Sequence, residues 1–352
     1  MKIPTVLIAY ALLGTGTAFA QAPAAPPAAD AKETPEKTPE IHRFERKALA
    51  TDVQILVFSN DAAGAKSASD AAFAEIDRIE ALMSEWKTES EINQINNGAG
   101  GAPVSVSKDT LTVLNLAKKV SAASQGAFSS TWAALRGVWN FEVPEGQAPI
   151  IPDEKALAGR TQLVDDAKLE LTDSTAKLAA KGMRLGLGGI TKGYAVDRAL
   201  ALMRERGFED ALVFVGGDIA SSGRKGALPW VVGLQEPRAE GYFAVITLED
   251  EAIATSGDYE AYFELEGKRY HHLLDPRTGM PAFETRSVSV VTKDAASADA
   301  YATAIFILGP EKGLELAEAT DGLDTVIVDA KNQVTVSTGL AKRVRILHQP
   351  VE

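Results

Sequence analysis

Cysteine is absent from the 352 residues of this chain. That absence excludes disulfides, thiolate metal sites, thiol nucleophiles and a lipid-anchored cysteine together. Positive charge is short as well: the net charge is -12 and no Lys/Arg stripe runs along the sequence, which argues against a nucleic-acid partner. An acidic protein that binds a diphosphate needs local help, from a metal ion or from clustered backbone N–H groups. Histidine occurs only four times, so each one carries weight. The N-terminal apolar run, Val6 to Leu13, is shorter than the roughly 20 residues of a spanning helix and leads into Gly14 and Gly16. Several familiar catalytic patterns are also missing: HExxH, the GxSxG elbow, the Walker GxxxxGK[ST] loop and a strand-linked GxGxxG.

What is present suits an exported globular protein. Met1-Lys2, the apolar run and Ala18-Phe19-Ala20 before Gln21 have the layout of a signal peptide over residues 1–20, which predicts a bacterial periplasmic location. Residues 21–40, rich in Ala, Pro, Lys and Glu, read as a disordered spacer. From residue 41 to 352 the texture is even, and we expect one catalytic unit there. Phe73, Ile76, Ile79, Leu82, Met83 and Trp86 recur at helical steps and predict a helix over Ser67–Trp86. Further helices are expected near Lys108–Ala123, Ile190–Arg206, Ala298–Leu308 and Leu314–Ala319. Strands are expected at Val53–Phe58, Ala211–Val215, Trp230–Gly233, Phe243–Leu248, Tyr262–Leu265, Ser287–Val291 and Thr325–Val328. Runs of strands with grouped helices point to an α+β fold with mixed, largely antiparallel sheets.

Three constellations carry chemistry. Gly186-Leu187-Gly188-Gly189-Ile190-Thr191-Lys192-Gly193 joins a glycine-rich turn to a helix start; it suits an anion, or is simply a tight turn. Asp299 and Thr303 stand one helical turn apart, so they share a face and offer hard oxygen donors of the kind Mg²⁺ accepts; the alternative is an Asp299 that merely favours the positive helix N-terminus and a Thr303 on the surface. His271 and His272 precede the turn Asp275-Pro276-Arg277-Thr278-Gly279, and on a strand only one of the two can face a given cleft.

In combination these segments resemble the FAD:protein FMN transferases, or ApbE-type flavin transferases. The resemblance spans about residues 50–340. It begins with Met83-Ser84-Glu85-Trp86, Ser90-Glu91-Ile92 and Asn96, and continues through Gly126-Ala127-Phe128 with Thr131, Leu135 and Trp139. Leu187 to Asp197 follows, then Gly216-Gly217-Asp218-Ile219 and Ala254 to Tyr259. His272 to Gly279 and Ala298 to Ala304 complete it. The resemblance implies the ApbE-type fold, FAD as substrate, Mg²⁺ as cofactor, and transfer of FMN to a Thr or Ser hydroxyl with release of AMP. The partner it implies is a target flavoprotein subunit of a membrane redox complex, its acceptor exposed outside the cytoplasm.

By position, the resemblance makes Asp299, Thr303 and a carbonyl near Gly189 the metal ligands. Met83, Ala127, Phe128, Ser129, Gly186, Lys192, His272, Leu273 and Leu274 fall in its flavin-contact motifs. Lys192 is expected to steady the phosphates, and His272 or Asp258 to act as general base. Two positions depart from the family pattern, with Gly186 and Ser129 standing where aspartates are usual. A lost carboxylate hydrogen bond costs on the order of 1–3 kcal/mol, so the alternatives are an FAD pyrophosphatase or a non-catalytic FAD binder.

Overall fold

The computed structural model describes residues 38–141, 143 and 147–351. The expected signal peptide, and the spacer up to residue 37, lie outside the described residues. Eight strands make the central sheet: β1 (Glu40–Ala48), β2 (Thr51–Ser59), β3 (Ala211–Val215), β4 (Asp218–Ser222), β5 (Ala252–Gly257), β6 (Thr285–Thr292), β7 (Asp324–Asp329) and β8 (Val334–Val336). They lie side by side in chain order, and every neighbouring pair is antiparallel. β1 opens at Glu40, at the edge of the segment read as a spacer.

Alternation sorts these strands' side chains between two faces. Val53, Ile55 and Val57 of β2 and Val213 and Val215 of β3 enter the core under the helices; Leu56, Leu212 and Phe214 enter the core on the other side. That second core is closed by a three-stranded sheet of Trp230–Gln235, Tyr242–Leu248 and Val344–Ile346. With both faces covered, the central strands read as continuous apolar runs, as Ala-Leu-Val-Phe-Val of β3 does.

The helices are α1 (Ala62–Met83), α2 (Glu91–Asn97), α3 (Lys108–Ala123), α4 (Glu154–Thr161), α5 (Thr191–Glu205), α6 (Ala295–Leu308) and α7 (Pro310–Ala319). α1 starts earlier than its apolar spacing suggests, because Asp61 caps it by accepting from the Gly64 N–H at 2.9 Å. It buries Phe73, Ile76, Ile79 and Met83 along one side. α6 is different: it is alanine-rich and buried nearly all round, which fits its position against the sheet and next to α5. A hairpin of Tyr262–Leu265 and Lys268–His271 adds a third, aromatic cluster, with Phe263 and Tyr270 stacked at 5.3 Å and Trp139 on Tyr270 at 5.8 Å. Among the described residues no helix is long and apolar enough to cross a membrane.

Candidate active site

The site grows from the junction of α5 and α6. Gly193, in the first turn of α5, lets the two helices touch: a Cβ there would lie 2.1 Å from the Ala295 carbonyl oxygen. Each helix then finishes the other. Asp197 of α5 accepts from the Ala295 and Ala296 N–H groups at 2.7 and 2.9 Å, at the start of α6. Asp299 of α6 accepts in return from the Gly193 N–H at 3.3 Å, at the start of α5. Both carboxylates thus sit at the positive ends of helix dipoles. The anion expected at the glycine-rich turn is, in part, a carboxylate of the chain itself.

Around Asp299 the polar groups converge. The Lys192 ammonium lies 3.3 Å from both Asp299 oxygens and 2.7 Å from Asp218. Asp218 comes from the β3–β4 turn, where Gly216 and Gly217 take positive φ. Thr303, one turn along α6, places its hydroxyl 3.4 Å from that of Ser256, and Gly189 faces it so closely that a Cβ would sit 3.0 Å away. Burial, together with the neighbouring Asp299 charge, holds the Asp218 carboxyl well above its ordinary range. Burial opposes the Lys192 charge, but Asp218 and Asp299 outweigh it and raise the ammonium above its usual value.

All of these polar groups except the buried Asp218 line a cavity of about 1360 Å³. Ala127, Phe128, Ser129, Gly189, Lys192, His272, Leu273, Leu274, Asp299 and Thr303 all border it, as do Glu260 and Trp132. Burial lowers the His272 imidazole below its ordinary value and leaves its buried Nδ1 without a partner. Its neighbour His271 turns the other way, its Nε2 2.8 Å from the Ala282 carbonyl and its ring edge on Phe306. Adjacent histidines therefore divide, one to the cleft and one to the core.

Three expectations need correcting, one of them Gly186, which does not border the cavity. Asp258 does not border the cleft; Arg238 grips both its carboxylate oxygens at 2.6 Å, and a carboxylate so engaged has no free oxygen aimed at substrate. Met83 ends α1 inside the core, because Ser84 leaves the helix in an extended conformation and turns the chain so that Trp86, not Met83, borders the cavity. Spacing alone could not show that turn. Asp218 and Glu260 were not singled out as site residues either; the glycine pair before Asp218 was the available signal.

The ApbE family model matches residues 49–327. The chain belongs to the ApbE family. It is 31% identical over 303 residues to an FAD:protein FMN transferase of Klebsiella pneumoniae, covering 85% of this chain and 92% of that protein. A Treponema pallidum FAD:protein FMN transferase is 32% identical over 319 residues, with coverage of 85% and 87%. The flavin transferase ApbE from Vibrio cholerae superposes with a TM-score of 0.78 at 26% identity, covering 87% of this chain and 99% of that one. The ApbE protein of Thermotoga maritima gives 0.78 at 29%, with coverage of 86% and 98%.

The two departures from the ApbE pattern have structural counterparts. At Gly186 a Cβ would come within 2.8 Å of both the Trp132 indole nitrogen and the Ala133 methyl, while that indole donates to the Gly186 carbonyl at 2.9 Å. Trp132 borders the cavity and Gly186 does not, so the tryptophan occupies room that an aspartate side chain would require. Ser129 binds Thr131 twice, hydroxyl to hydroxyl at 2.9 Å and accepting its N–H at 3.1 Å. Beside them the Arg136 guanidinium lies over the rings of Trp86 and Trp132, 4.5 and 5.4 Å from their centroids, and pairs with Glu85 at 2.6 Å.

The residues present fit a hard divalent cation. Two carboxyl groups, Asp218 and Asp299, face a single ammonium, and the Thr303 hydroxyl adds an oxygen donor. No group of three His, Cys, Asp or Glu side chains suited to a metal gathers among the described residues, so such an ion would take its other ligands from hydroxyl, carbonyl, water and substrate phosphate.

Proposed function

We propose that the protein is a Mg²⁺-dependent FAD:protein FMN transferase that moves FMN from FAD to a Thr or Ser hydroxyl of an exported flavoprotein and releases AMP. The observation that carries this reading is the meeting of Lys192, Asp299, Thr303 and His272 on one cavity within an ApbE-family fold. Asp299, Thr303 and the Gly189 carbonyl would hold the ion, which, when bound, neutralises pyrophosphate charge.

The chain's own groups account for the rest. The acceptor hydroxyl oxygen forms a bond to the FMN-side phosphorus as the bridging P–O bond to AMP breaks. His272, kept neutral by burial, is placed to take the hydroxyl proton, and Lys192 faces the phosphate oxygens as negative charge builds. Phe128, Leu273 and Leu274 supply an apolar wall that excludes water, which a transferase must keep from replacing the acceptor. Export to the periplasm rests on residues 1–20, and the target subunit of a membrane redox complex rests on the family resemblance.

The test is incubation of the purified protein with FAD, Mg²⁺ and a Ser/Thr-bearing acceptor domain, following AMP and acceptor mass. An FMN adduct that requires Mg²⁺ and disappears in Asp299→Ala supports the reading. AMP without adduct would point to a pyrophosphatase, and FAD retained without turnover to a binding protein.

A further inference from the structure

Asp218 is a costly residue in an unexpected place. It is buried, it stands next to a second buried carboxylate, and Lys192 is the cation paired with it among the described residues. Two carboxyl groups and one ammonium form a compact group in which Lys192 already lies 3.3 Å from both oxygens of Asp299. A divalent cation arriving at Asp299 meets that ammonium, and two cations sharing one carboxylate repel.

We propose that Asp218 is a positioning residue: it receives the Lys192 ammonium when a divalent cation displaces it from Asp299. This inference rests on the metal reading of Asp299 given above. Lys192 covers the Asp299 carboxylate before the cation binds and is parked on Asp218 afterwards, still facing the cavity. The geometry favours such a shift over a backbone movement. The Lys192 backbone lies in the first turn of α5, beside Gly193, whose N–H is tied to Asp299 and where a Cβ would lie 2.1 Å from the Ala295 carbonyl oxygen. Only the side chain has room to move, and Asp218 is already the nearer partner, at 2.7 Å against 3.3 Å. Without Asp218, freeing Asp299 would leave a half-buried ammonium without a partner at the cavity wall, which is unfavourable.

The experiment is a double-mutant cycle on the full chain with FAD present, reading the Mg²⁺ concentration at half-maximal rise in Tm. Asp218→Asn is expected to raise that midpoint about tenfold in the Lys192 background and to leave it unchanged in a Lys192→Met background, where there is no ammonium to park. Asp218→Ser serves as a second neutral variant should Asp218→Asn fold poorly. An unchanged midpoint in Asp218→Asn overturns the proposal. An equal rise in both backgrounds also overturns it, since Asp218 would then act on the cation directly. Asp299→Ala separates the two levels of argument. If that variant keeps the wild-type midpoint, the metal reading itself fails; if it loses the response while Asp218→Asn does not, only the parking role fails.

Discussion

The two faces of the central sheet are built from the same strands and do different work. On one side Trp230, Phe243, Ile246 and Leu248 pack against Leu212, Phe214 and Ile253, an almost wholly apolar seam between two sheets. On the other, α5 and α6 bring the buried Asp218 and Asp299 and the half-buried Lys192 and Asp197 up against the alanines of α6. Burying charge costs stability unless it is paired, so the helix side depends on the sheet side for support. Alternation along β3 and β4 is what allows one strand to serve both purposes.

That contrast can be broken from either side. The largest effect is expected from Trp230→Ala, which removes a fully buried indole that also donates to the Ser222 carbonyl at 3.0 Å. It should cost about 3–5 kcal/mol in denaturant unfolding while leaving the proposed Mg²⁺ requirement of the remaining folded protein unaltered. His272→Ala tests the opposite pole: FMN transfer should fall roughly 10²–10⁴-fold, with little change in Tm, if the ring serves the reaction and not the core.

The neighbouring histidine gives a pH-dependent version of the same comparison. Burial pushes the His271 imidazole down to about 4, from 6.5. The unfolded chain therefore binds a proton that the folded one refuses between those values, and stability should drop as pH falls from about 6.5 to 4. The full difference is about 3 kcal/mol. Unfolding curves of His271→Gln across that window should show a correspondingly shallower slope; parallel curves would mean that the ring is not held neutral. The smallest effect is expected at the family departure. Gly186→Asp should weaken FAD binding and lower stability by about 1–3 kcal/mol, because the new Cβ collides with Trp132 and Ala133. Adding Trp132→Ser, which clears that space, should recover much of the loss in a fluorescence titration with FAD.

Much of the fold was legible because periodicity reports burial. α3 was anticipated residue for residue, and β3, the strand Phe243–Leu248 and the hairpin strand Tyr262–Leu265 were anticipated within a residue. β1 was missed because Glu-Ile-His-Arg-Phe-Glu-Arg-Lys-Ala is a charged edge strand that reads like the linker before it. β4 and β5, with one isoleucine each among mostly Ala, Ser, Thr and Gly, carry little apolar signal although they are largely buried. At the site, local spacing put Asp299 and Thr303 on one helix face, where both border the cavity, and divided His271 from His272. It failed wherever the chain returns from far away. The Lys192 contact with Asp218 and Asp299 joins three separate elements, and the engagement of Asp258 depends on Arg238, contributed by a loop beyond Gln235.

The crossed caps of α5 and α6 have a consequence for how the enzyme comes into being. Asp294 caps the Ser297 N–H of α6 locally, but the Ala295 and Ala296 N–H groups find Asp197 only when α5 has docked, and α5 has no side-chain cap besides Asp299. A chain emerging with α5 formed and α6 still loose, almost a hundred residues downstream, holds neither Lys192 nor Asp299 in place. Assembly of the reactive centre and closure of the last helical layer are then a single cooperative event, and a half-built chain offers no half-active site.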